Sequence, residues 1–162
     1  MNDEMTSAMS PELRNAVETA GLVLVISALA YIVGTVILTA SFDAFDVDLI
    51  DRLSFYAQSA NLETAAVCGL ALVATLAAGL SGPRRRTILA LVLIAAVAHM
   101  VAGSLGIVGV LAGDADTLPT RDGGAELGLC LVFAATILAG MALGAVAHTA
   151  RNAAASPLID PT

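Results

Sequence analysis

Lysine and tryptophan are absent from this 162-residue chain, and charge of either sign is scarce. Charged residues make up 13% of the sequence, about half of what a water-soluble domain carries. Seven residues are basic, all of them arginine, against 14 acids, for a net charge of −7. That balance excludes a nucleic-acid partner, because phosphate binding needs clustered positive charge. The two cysteines, Cys68 and Cys130, form no Cys-x-x-Cys pair, which excludes a zinc-ribbon framework. Each reads as a small buried hydrophobe, with a Cys68–Cys130 disulfide as the open alternative. Without tryptophan, only Tyr31 and Tyr56 remain to form an aromatic belt. No nucleophile–base pair, phosphate loop, metal-ligand set or acidic dyad stands out, so the sequence points to a non-enzyme with no cofactor and no metal.

What the chain has is apolar length. Hydrophobic residues make up 58% and the mean hydropathy is +0.89. A fold of this size has too little interior for that much apolar surface, so lipid has to be part of its solvent. Four apolar runs, at about 17–40, 64–80, 87–113 and 124–150, are long enough to cross a bilayer, which takes about 20 residues at 1.5 Å each. The fold expected is all-α: one integral membrane four-helix bundle over residues 1–162. Ser10-Pro11-Glu12 reads as the start of the first helix. Its apolar run is too long, and its flank too acidic, for a cleaved signal peptide. Ser81-Gly82-Pro83 reads as the stop of the second run. Cys68…Ala74-Thr75 and Cys130…Ala135-Thr136 resemble each other, but Ala/Leu-rich helices do so by composition alone.

Arginine placement sets the expected orientation. With four crossings, Arg14, Arg84, Arg85, Arg86 and Arg151 share one side, which is then cytoplasmic, with both termini. The other side would hold Arg52, Arg121 and nine acids, and so the whole net charge. The richness in Ala, Gly, Val and Arg suggests a prokaryotic source, so the location expected is a prokaryotic plasma membrane. Arg84, Arg85 and Arg86 are expected to fix this topology and to meet anionic headgroups.

The first outer link carries a helical period. Phe42, Phe45, Leu49, Leu53 and Tyr56 recur at spacings of three and four, with Asp43, Asp46, Asp48, Asp51 and Arg52 mostly between them. This predicts a short amphipathic helix over about 42–56, lying on the outer surface. Interfacial lipid-binding helices are usually basic. This one is acidic, so its apolar face suits a protein partner, or simply lids the bundle.

Small residues suggest where helices meet. Gly109 with Gly113, Gly124 with Gly128, and Gly140 with Gly144 are each four apart, and Gly103 and Gly106 add to the third run. Glycines at that spacing let two backbones approach closely. His99 falls near the middle of the third run, roughly 18 Å along it, where an ionisable group is a candidate polar site. The plainer reading is a neutral His99 hydrogen-bonded to a neighbour such as Thr75 or Thr136. His99 and His148 differ in depth by about 15 Å, too much for one haem iron, and His99 with Met141 is only somewhat better placed. His148 suits the last turn of its helix, and Glu63 and Glu126 the first turns of theirs.

The function expected is a non-catalytic accessory subunit that stabilises a larger membrane complex, such as a lipid transporter or respiratory assembly. Its expected partners are membrane lipids and other integral subunits. The alternative is a small self-associating carrier or channel with His99 in the path.

Overall fold

Serine at the cap and proline behind it start the first long helix. The computed structural model describes residues 10–59, 65, 69, 72–73, 82–113 and 122–155. Helix α1 spans Pro11–Ala44. The Ser10 hydroxyl accepts from the Leu13 amide at 3.3 Å, and Pro11 occupies the first turn, where a missing N–H costs nothing. Helix α2 spans Leu49–Ser59, α3 Gly82–Ala112 and α4 Gly123–Ala155. No strand occurs among the described residues.

Helices α1, α3 and α4 are each long and apolar enough to cross a membrane. Their outward faces require it. On α1, Leu22, Val25, Leu29, Ile32 and Val36 are all exposed, and on α3 so are Leu91, Ile94, Val101, Leu105 and Val108. Faces of this length and character are stable only against hydrocarbon. The chain is a multi-pass membrane protein. The second apolar run, 64–80, lies outside the described residues except for Ala65, Gly69, Leu72 and Val73.

Helix α4 is the central element, packed along both α1 and α3. Half of its apolar stretch is buried, against 28% for α3 and 17% for α1. Both pairings are antiparallel. Ser27 meets Ala135 and Gly34 meets Gly128 on one side. Ala96 meets Gly140 and Gly103 meets Phe133 on the other.

The buried positions recur at heptad spacing. On α1 they include Leu13, Ala20, Ser27, Gly34 and Ser41, each seven residues after the last. On α3 they are Leu89, Val92, Ala96, His99, Gly103 and Val110. On α4, Ala125, Leu129, Val132, Thr136, Ala139 and Leu143 follow the same alternation of four and three. A strict seven-residue repeat keeps one seam facing the partner over many turns, as in a left-handed coiled coil. Here the seam is built largely from small residues, so the backbones come close and dispersion replaces the hydrophobic effect that lipid removes.

The core divides along the bundle. One cluster joins Leu13, Ala20, Leu89, Val92, Leu143 and Val146 at the arginine end. The other joins Leu38, Phe42, Phe55, Val110, Leu129 and Val132 at the end bearing α2. Ala65 and Leu72 belong to the first cluster, and Gly69 lies against Leu143. This part of the chain therefore packs on α4 toward the arginine end.

The helix expected over 42–56 is two pieces. Helix α1 runs on through Phe42 and Asp43, and the chain turns at 45–48 before α2 begins. Asp46 takes a φ of 50°, a left-handed conformation that aspartate tolerates better than most residues. The Val47 amide returns to the Phe42 carbonyl at 3.0 Å to close the turn. Gly82, with a φ of +68°, and Pro83 open α3, and the end of the second run, expected at Ser81-Gly82-Pro83, lies outside the described residues. Gly113 closes α3 with a φ of +69°, its amide bonding to the Val110 carbonyl.

Candidate functional site

The polar groups of the bundle gather at three levels: the α2 end, the middle and the arginine end. At the α2 end, Arg52 staples the turn. Its Nε donates to the Val47 carbonyl at 2.7 Å and one Nη to the Phe42 carbonyl at 3.2 Å, and it pairs with the Asp43 carboxylate. A guanidinium placed on the Phe42 carbonyl, in the last turn of α1, also opposes the negative end of that helix. The rings of Phe42 and Phe55 meet edge to face at 5.4 Å and 89°. Together these contacts fix α2 to α1.

This geometry revises the face expected for the outer helix. Phe42 is fully buried, on α1, and is not part of an outward surface. Phe45, Leu49 and Leu53 are exposed, and Ile50, not singled out by the period, is the most exposed residue of the set at 72%. Among the described side chains of α2, Phe55 is the one that turns inward. The Tyr56 side chain lies outside the described residues.

In the middle, Ser27, His99 and Thr136 are buried. The Ser27 hydroxyl crosses from α1 to the Ala135 carbonyl of α4 at 2.7 Å. Thr136 donates to the Val132 carbonyl of its own helix at 3.1 Å. His99 Nδ1 lies 2.6 Å from the Ala95 carbonyl. A carbonyl only accepts, so Nδ1 carries the proton and Nε2 is the acceptor in the neutral ring. His99 lies roughly 26 Å from Gly82 and 20 Å from Ala112 along α3, close to its midpoint. Its Cβ faces the Gly140 position of α4. Thr136 is therefore occupied by its own helix, and Thr75 lies outside the described residues. Met141 and His148 are both exposed, and His148 Nε2 is 3.1 Å from the Asn152 amide nitrogen. Neither shares the buried face that His99 occupies, and no metal-holding group of His, Cys, Asp and Glu occurs among the described residues. Cys130 is a free, half-buried thiol, and Cys68 lies outside the described residues.

The glycines sort by what a side chain would strike. A Cβ on Gly34 would come within 2.6 Å of the Gly128 carbonyl oxygen, and one on Gly128 within 2.8 Å of the Gly34 oxygen. Gly124 sits on the same side, where a Cβ would come within 2.7 Å of the Ser41 hydroxyl oxygen. Toward α3, a Cβ on Gly140 would meet the Ala96 carbonyl at 2.8 Å, and one on Gly103 the Phe133 carbonyl at the same distance. Gly106 holds the Phe133 ring, and Gly144 makes ordinary contact with Ala96. A Cβ on Gly109 or Gly113 meets nothing within 4 Å among the described residues. Gly113 serves the end of α3 and not a crossing. Gly34, which has no glycine partner four residues away, was missed; its signal is the seven-residue row Ala20, Ser27, Gly34, Ser41.

At the arginine end, Arg84 and Arg86 are exposed on the first turn of α3. Arg85 reaches α4, donating from Nη2 to the Ala150 carbonyl at 3.3 Å.

Compared with known proteins, this chain matches no family model, no curated protein and no solved structure, so what it does has to be read from this geometry.

Proposed function

We propose that this protein is a non-catalytic accessory subunit that packs against other integral subunits of a membrane complex and stabilises them. The observation that carries the reading is the outward face of α2. Leu49, Ile50 and Leu53 are exposed beside Asp48 and Asp51 on a helix held rigidly by Arg52 and Phe55. A fixed apolar patch with an acidic border suits a protein partner better than an anionic bilayer surface. The buried hydroxyls fit a packing role: Ser27 donates across to α4, and Thr136 donates within its own helix.

In this reading the bundle has four crossings, the fourth being the second apolar run, whose Ala65, Gly69 and Leu72 pack on the bundle. The arginine end faces the cytoplasm of a prokaryotic cell with both termini, and α2 lies outside. Purification in mild detergent, followed by mass spectrometry, tests the proposal. Partner subunits should co-purify at fixed stoichiometry, and Leu49→Lys with Leu53→Lys should release them while the bundle stays folded. A chain that elutes alone under every mild condition contradicts it.

A further inference from the structure

At the arginine end one hydrogen bond joins two groups of arginines that lie far apart in sequence. Arg84, Arg85 and Arg86 are consecutive on α3, and Arg151 lies far away in sequence on α4. The bond from Arg85 to the Ala150 carbonyl sets the first turn of α3 beside this part of α4, and so brings Arg151 to the same corner. Arg84, Arg86 and Arg151 are exposed and form no ion pair among the described residues. The Nε of Arg85 is buried with no hydrogen-bond partner. The described acids nearest this end in sequence are Glu12 and Glu18 on α1, and Glu18 is engaged by Arg14. Among the described residues the corner therefore carries a net positive charge. It stands just beyond the apolar stretch that begins near Ile88, at the depth of phosphate headgroups.

We propose that the start of α3 and the end of α4 form a binding site for the phosphate of an anionic phospholipid. Arg84 and Arg86 flank Arg85 on opposite sides of α3, and the one on the side of Arg151 supplies, with Arg151, the guanidinium forks, which match phosphate oxygens two at a time. Arg85 is a positioning residue that holds the two helices at the spacing the site needs. The occupant is a bilayer lipid because its chains would lie along the exposed apolar face of α3, where Leu91 and Ile94 begin. The site depends neither on the accessory role nor on which side of the membrane the corner faces.

Native mass spectrometry of the purified full chain, equilibrated with phosphatidylglycerol or with phosphatidylcholine, tests it. Phosphatidylglycerol should be retained at one per chain, and phosphatidylcholine should be lost under the same activation. Each arginine of the site removed should weaken retention about fivefold, the effect of one basic residue at an anionic surface. Arg151→Gln alone should show this, being an exposed change that leaves α3 untouched, and Arg84→Gln with Arg86→Gln should compound it. Arg14→Gln, at a residue already paired with Glu18, should change nothing. Equal retention of the two lipids, or full retention by Arg151→Gln, overturns the site as described. Displacement of phosphatidylglycerol by inorganic phosphate at equal concentration overturns the lipid as its occupant.

Discussion

Single glycines decide how closely the helices approach. At the Gly34–Gly128 crossing the two backbones touch carbonyl to α-carbon, so no side chain fits without moving a helix. Gly128→Leu should force α1 away from α4 and cost about 1–3 kcal/mol or more, the usual penalty for overpacking. Gly109→Ala should be neutral or slightly stabilising, because its position is open and alanine favours helix by about 1 kcal/mol. Reversible unfolding in mixed micelles by a denaturing detergent distinguishes the two; equal losses would show that the glycine contacts are wrongly assigned. Ser27→Ala removes a bond between helices but leaves only one acceptor to be satisfied. Its cost should stay near 0.6 kcal/mol, the average for hydrogen bonds between membrane helices. A loss several times larger would mean that Ser27 serves more than packing.

Helix α2 shows how a period in sequence can be right about helix and wrong about its extent. The alternation from Phe42 to Tyr56 continues across a turn because α1 and α2 each bury an aromatic ring at the same junction. Sequence alone does not reveal that the rings meet each other. Nor does it reveal Arg52, whose neighbours in sequence are ordinary and whose role depends on the carbonyls of Phe42 and Val47. Phe55→Ala should release α2, at a cost of about 3–5 kcal/mol for a buried aromatic. Limited proteolysis at 45–48 reads this directly: cleavage should rise sharply in Phe55→Ala and in Arg52→Met, and no rise in either would remove α2 from the core. The boundaries of the long helices differ from the apolar runs for a simple reason. Hydropathy registers the hydrocarbon part of a helix, whereas α1, α3 and α4 all begin before it, in turns built from Pro11, Pro83 and the Asp122 carboxylate, which accepts from the Ala125 amide at 2.8 Å.

For the molecule as a whole, composition was enough to indicate lipid, and run length enough to locate three long helices. The order of packing was harder to read. That α4 is central follows from buried seams on both sides of it, and small residues spaced seven apart are less conspicuous than glycines spaced four apart. The candidate partner face was legible in Leu49 and Leu53, while Ile50 was not, because exposure depends on where Phe55 anchors the helix. A Cβ on Gly69 would meet the end of the Leu143 side chain at 3.4 Å, so Gly69→Cys and Leu143→Cys in a cysteine-free background should be joined by a crosslink through a short thiol-reactive reagent. Failure to form one would place the second apolar run elsewhere.

The central claim is that hydrocarbon surrounds α1 and α3 while α4 is sheltered between them. Spin labels at Leu29, Val101 and Ala139, in protein reconstituted into bilayers, test it most directly through collision with oxygen and with a water-soluble nickel chelate. Labels at Leu29 and Val101 should meet oxygen freely and the chelate hardly at all, and the label at Ala139 should meet neither. Access of the chelate to Leu29 or Val101 would contradict it, because those side chains would then face water.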